Sequence, residues 1–213
     1  MKKILAFLMA LTLLGVMGAS VFAATSSPAP APVSPTPVAG LDPSITQYPD
    51  GTIIITTAED SHVIFDIDHH WGKEAIINVI LKKLMIGYED GMFHPDDGMT
   101  AAMVYTVMAR LLDANVGTTG PNWKENVVAW AKATGIALDI DPDANIDRSQ
   151  MIQIFAAVEK VEGDAVEWAK TAGLVVGDEN GDLMLDKQMT RAEFATVLTR
   201  YIDFKGLEGV IAK

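Results

Sequence analysis

Met189-Thr190-Arg191-Ala192-Glu193-Phe194 is written twice more in weaker form, as Met99-Thr100-Ala101-Ala102-Met103-Val104 ninety positions earlier and as Ile146-Asp147-Arg148-Ser149-Gln150-Met151 between them. Each copy opens an apolar stripe with helical spacing. After Thr100 the stripe is Met103, Val104, Val107, Met108, Leu111 and Leu112; after Thr190 it is Phe194, Ala195, Val197, Leu198 and Tyr201. A 3.6-residue period predicts a helix in each place. Thr190 and Glu193 have the spacing of a capping box, in which a hydroxyl accepts from the third helical amide and the carboxylate reaches back to the cap amide. Asp147 and Gln150 repeat that arrangement, and Thr100 supplies the cap alone, so these five residues are read as structural.

Upstream of each copy lies a second helical pattern. Trp130-Ala131-Lys132-Ala133-Thr134-Gly135-Ile136 reappears as Trp168-Ala169-Lys170-Thr171-Ala172-Gly173-Leu174, and Trp71 to Met85 carries the same kind of stripe in the first copy. Gly87 and Gly91 in the connection match Gly177 and Gly181, where a turn with positive φ is expected to select glycine. The chain therefore contains one helix-loop-helix unit three times, roughly over 65–112, 122–161 and 164–204. The middle bridge is short: Gly135 to Ile146 covers 11 positions, against 16 from Gly173 to Met189. A unit of this size cannot bury its apolar face alone, so an all-α domain with shared packing over 65–204 is predicted.

The remainder is organised differently. Residues 1–23 place Lys2 and Lys3 before an apolar run and end in Val21-Phe22-Ala23, the pattern of a cleaved secretory leader rather than a retained membrane span. Residues 24–43 are rich in Pro, Ser, Thr and Ala and read as an extended linker. Over 44–64 a turn at Tyr48 to Gly51 and the β-branched run Thr52 to Thr57 predict a strand or hairpin, with Val63-Ile64-Phe65 as its second strand; residues 205–213 form a tail. With 28 acidic against 16 basic residues the net charge is −12, and loss of Lys2 and Lys3 with the leader makes it −14. Such a surface repels nucleic acid and anionic headgroups, and any anion must be held by local cations. The absence of cysteine removes lipoprotein anchors, disulfides and thiolate metal sites.

Trp71, Gly87-Tyr88-Glu89-Asp90-Gly91-Met92-Phe93-His94-Pro95-Asp96 and Met99-Thr100 resemble the first half of an S-layer homology repeat, and Thr190-Arg191-Ala192-Glu193 resembles the signature opening its second helix. The resemblance implies three repeats forming a pseudo-trimeric, three-pronged helical domain. It also implies a bacterial cell-wall or surface-layer location, with binding of secondary cell-wall polysaccharide, often pyruvylated, or of a peptidoglycan-linked glycan. Arg191 and Arg148 are the implied ligand contacts. At the first helical position a cation sits against the helix dipole, a penalty that an anionic ligand held by the guanidinium and free backbone amides would reverse, and Arg191 is expected to matter little for packing. Ala101 stands where the first copy should carry its arginine.

Trp71 and Trp123 open helices and either face a sugar or plug a neighbouring prong; Trp130 and Trp168 belong to the core. Gly87 and Gly177 serve backbone geometry first and close approach of a saccharide second. Asp139, Asp141, Asp143, Asn145 and Asp147 alternate like a calcium loop, yet Ala144 replaces the turn glycine and Gln150 the bidentate glutamate. His69 and His70 diverge too far to share a metal, and no cofactor, metal or catalytic constellation is expected. The expected protein is a secreted, non-enzymatic wall-binding module; the alternative is a structural or protein-interaction component of a surface layer.

Overall fold

Three isoleucine-rich segments pair because alternate residues can share one buried face. In the computed structural model, which describes residues 44–48, 50–56, 61–207 and 209, they are β1 (Ile45–Gln47), β2 (Ile53–Thr56) and β3 (Ser61–Ile64), an antiparallel meander in the order β1-β2-β3. Ile45 sits opposite Ile55 and Ile53 opposite Ile64, and all four are buried. A third strand thus corrects the expected pair: Ile45-Thr46-Gln47 was too short to stand out from the preceding linker. The leader over 1–23, the linker over 24–43 and the end of the tail lie outside the described residues.

Six helices follow: α1 (Lys73–Leu81), α2 (Ala101–Leu111), α3 (Trp123–Thr134), α4 (Arg148–Glu159), α5 (Ala165–Thr171) and α6 (Arg191–Lys205). The first is shorter than its apolar stripe. Lys83 turns to φ 56°, and the amides of Leu84 and Met85 both donate to Val79 O, at 2.9 and 3.2 Å, so the last two apolar residues enter the core from a turn. Asp147 and Gln150, and likewise Thr190 and Glu193, form reciprocal capping boxes, while Thr100 accepts from the Met103 amide at 3.3 Å without reciprocation. Thr190→Ala should cost about 1 kcal/mol. An unchanged urea midpoint would show that the cap is redundant.

The three cap segments meet in a closed ring. Met99 N donates to Met189 O, Met189 N to Ile146 O and Ile146 N to Met99 O, each at 2.9 Å. Each neighbouring turn repeats the relation. The first amides of α2, α4 and α6 donate to Ala144 O, Lys187 O and Asp97 O, and the second amides to Pro142 O, Leu185 O and Pro95 O. Each helix start is therefore saturated by a loop from another unit, as buried backbone groups require. Helix packing follows the same cyclic rule: α3 lies on α2, α5 on α4, and α1 closes the cycle on α6. Within the third unit the two helices meet only through an edge contact of Trp168 with Phe204 among the ring contacts of the described residues, at 6.4 Å between centroids.

Phe155, Phe194 and Tyr201 fill the core where α4 and α6 approach, with ring centroids 6.1 Å apart for the two phenylalanines and 4.7 Å for Phe155 and Tyr201. Trp130 and Trp168 are partly buried against this core. The Tyr201 hydroxyl donates to Glu159, which also meets Lys205 Nζ at 2.8 Å. Burial first, and then the Glu159 carboxylate, push the phenol well above its ordinary value. The unfolded chain therefore loses this proton first, so the contact's stabilisation is present below about pH 10 and declines as the pH rises past it. Urea midpoints at about pH 8 and about pH 10.5 should show a decline that Tyr201→Phe reduces.

Candidate functional site

Cyclic packing leaves a groove beside α2 and another beside α6. The first, of about 320 Å³, has Met103, Thr106, Val107 and Arg110 of α2 as its floor, and its walls are Ile86-Gly87-Tyr88 after α1 and Trp123 at the start of α3. Arg191 of α6 closes one end. The second, of about 180 Å³, repeats this plan ninety positions later with Glu193, Thr196, Val197 and Arg200 of α6, Val175-Val176, and Trp71 ahead of α1. Arg148 of α4 takes the arginine position there.

The arginines do not lie as the sequence suggested. Arg191 is only 5% exposed; its Nε donates to Phe93 O at 2.8 Å and its Nη2 to Ile86 O at 2.9 Å. The guanidinium carbon also lies 4.8 Å from the Tyr88 ring centroid and 4.4 Å from that of Phe93. It is thus a strut holding the loop of the first unit, which corrects the expectation that packing could dispense with it. Nor are the amides at the start of α6 free for an anion. Arg191 N and Ala192 N donate to Asp97 O and Pro95 O, and Glu193 N to the Thr190 hydroxyl. What remains is Nη1, which makes no hydrogen bond among the described residues and is not fully buried, and Arg191 lines the groove. Burial draws this guanidinium below its ordinary value, opposed by Tyr88, Asp97 and Asp66, and leaves it charged at neutral pH.

Arg148 is held less tightly. Its Nη1 donates to Leu183 O at 2.8 Å, the counterpart of Phe93 O, and its Nη2 lies 3.6 Å from Glu193 Oε1. Glu193 also receives Lys187 Nζ at 2.6 Å and completes its cap. In the first groove Met103 occupies the place of Glu193, and no carboxylate lines that groove among the described residues.

Ala101 now acquires a partner. Because each signature position serves a loop of another unit, Ala101 faces the shortened middle loop and donates its amide to Ala144 O at 3.1 Å. Tyr105, one turn on, donates nothing to a carbonyl there; its hydroxyl accepts from Leu138 N at 2.8 Å and ties that loop down. The deficient interface is therefore the one beside the middle loop, and the groove beside the first unit's loop keeps its arginine. Gly87 and Gly177 also need a different reason: neither has positive φ, unlike Gly91 and Gly181 at 79° and 81°. A Cβ on Gly87 would lie 2.7 Å from Ile64 Cδ1, and one on Gly177 2.6 Å from the Gly181 carbonyl carbon, so close approach excludes a side chain.

Trp71 is 65% exposed at the rim of the second groove, and Trp123 is half-buried in the first. Arg110 and Arg200 were missed by sequence reasoning. They stand ninety positions apart, donating to Leu84 O at 3.0 Å and Leu174 O at 3.2 Å, and comparison at that offset beyond the signature would have found them.

With both loop walls and both arginines placed, comparison with known proteins becomes informative. The S-layer homology domain model matches residues 66–100 and 157–195. The two matched stretches contain α1, α5, both glycine loops and Arg191, while α2, α3 and most of α4 lie between them. A search of curated proteins finds no match to the chain.

The aspartates of the middle loop have separate tasks. Asp141 accepts from Asp143 N, Asp143 pairs with Lys124 and Asp147 caps α4. Among the described residues no three carboxylates or histidines are grouped to hold a metal. Excess chelator should leave the melting midpoint unchanged; a drop of several degrees would point to a structural calcium ion.

Proposed function

We propose that this protein is an exported, non-catalytic anchoring module whose three helix-loop-helix units form a pseudo-trimeric, three-pronged domain that binds anionic secondary wall polysaccharide in its two grooves. S-layer homology domains anchor proteins to the cell wall, and both matched stretches contribute groove walls. The observation that carries the reading is Arg191: a buried cation with an unpartnered Nη1 at the end of an apolar groove is stabilised by an anion from the solvent side. Gly87 and Gly177 keep the walls narrow, while Trp123 and Trp71 offer ring faces to a sugar.

A pull-down with protein-free wall sacculi tests this. Arg148→Ala/Arg191→Lys, which keeps a buried cation but removes the guanidinium fork, should lose at least about tenfold in binding while remaining helical. Binding equal to wild type, with both proteins folded, would instead favour a structural role in a surface layer.

A further inference from the structure

The helix floors of the two grooves match at an offset of ninety, Thr106, Val107 and Arg110 with Thr196, Val197 and Arg200, and one floor position changes charge: Met103 in the first, Glu193 in the second. We propose that the grooves read different parts of the glycan, the first taking a carboxylate-bearing sugar and the second an uncharged one. This rests on the groove-binding reading above and adds a division of labour to it.

The first groove presents Arg191 and Arg110 with no lining carboxylate among the described residues. Arg191 is 5% exposed, spends Nε and Nη2 on carbonyls, has no hydrogen bond at Nη1 among the described residues and lines a cavity floored by Met103 and Val107. A carboxylate entering there gains a charge-assisted hydrogen bond, and the apolar floor accepts its carbon substituent. In the second groove the corresponding guanidinium already faces Glu193 at 3.6 Å, and Glu193 is fixed by Lys187 and by its cap. An incoming carboxylate meets a resident one there. A neutral sugar does not, and its hydroxyls can bond to both members of the pair. Discrimination comes from the resident charge as much as from the attractive one.

Capping chemistry supplies variants that keep the fold. Met103→Glu completes a box with Thr100, and Glu193→Gln preserves the box at Thr190, since Gln150 already plays that part for Asp147. The probes are N-acetylmuramic acid and N-acetylglucosamine, which differ by a carboxylate-bearing ether. Titrations of the full chain, ¹⁵N-labelled at tryptophan, follow the indole signals of Trp123 and Trp71, one in each groove. Trp123 should report at least about tenfold preference for the acidic sugar and Trp71 less than about threefold. Met103→Glu should reduce the first preference to the level of the second, and Glu193→Gln should raise the second. Equal preferences in wild type, or a Trp123 preference indifferent to Met103→Glu, overturn the division of labour while leaving groove binding intact. Silence of both indoles toward both sugars overturns groove binding and this inference with it.

Discussion

Arg191→Ala should lower the unfolding free energy by about 3 kcal/mol, because two hydrogen bonds to a charged group are lost together and two loop carbonyls lose their donor. Packing is lost as well. The guanidinium lies against the rings of Tyr88 and Phe93, and its removal leaves Phe93, itself fully buried, beside a void. Arg191→Lys should recover part of the loss through charge without restoring the fork. Arg148→Ala should cost less by at least about 1 kcal/mol, since among the described residues it has one carbonyl bond where Arg191 has two and it stacks on no ring. Urea denaturation of the three variants decides this, and equal midpoint shifts for Arg191→Ala and Arg148→Ala would remove the strut argument.

The third unit taken alone should show no cooperative thermal transition. A fragment of residues 162–213 retains α5 and α6, but α5 packs on α4 and α6 on α1, and both partners are gone. The ring is broken too, because Met189 N loses its acceptor Ile146 O and Met189 O loses its donor Met99 N. Residual helix in α6 is then a matter of intrinsic propensity, and a helix of this length is marginal in water by itself. Circular dichroism on heating is the measurement; a sharp sigmoidal melt would mean that a single unit contains its own core.

Local features of this architecture were legible in the chain. The second-helix starts at Thr100, Asp147 and Thr190 follow from cap chemistry acting over three residues, and the stripes after them fix which side is buried. Legibility ends where partners are distant in sequence. Arg191 and Phe93 are separated by 98 positions, and only the cyclic packing brings them together, so an arginine that looked like a free surface cation is a buried strut. Separation in sequence likewise hid the correspondence between Ala101 and the short middle loop. Gly87 and Gly177 illustrate a subtler miss: glycine signals either an unusual φ or a crowded approach, and sequence does not say which. The first strand was missed because three residues give too short an alternation to count.

The closed exchange of hydrogen bonds and helix contacts means that the heritable repeat and the physical binding module have different boundaries. The groove beside α2 is assembled from the segment after the first unit's opening helix, the second helix of that unit, the first residue of α3 and the first residue of α6. Recombination that exchanges one whole repeat for a homologue therefore rewrites parts of several grooves at once and leaves none of them purely native or purely foreign. A graft intended to move one specificity would need its crossover points inside the repeats, carrying the loop at 84–93, the floor at 103–110 and the two distant single residues Trp123 and Arg191 as one set.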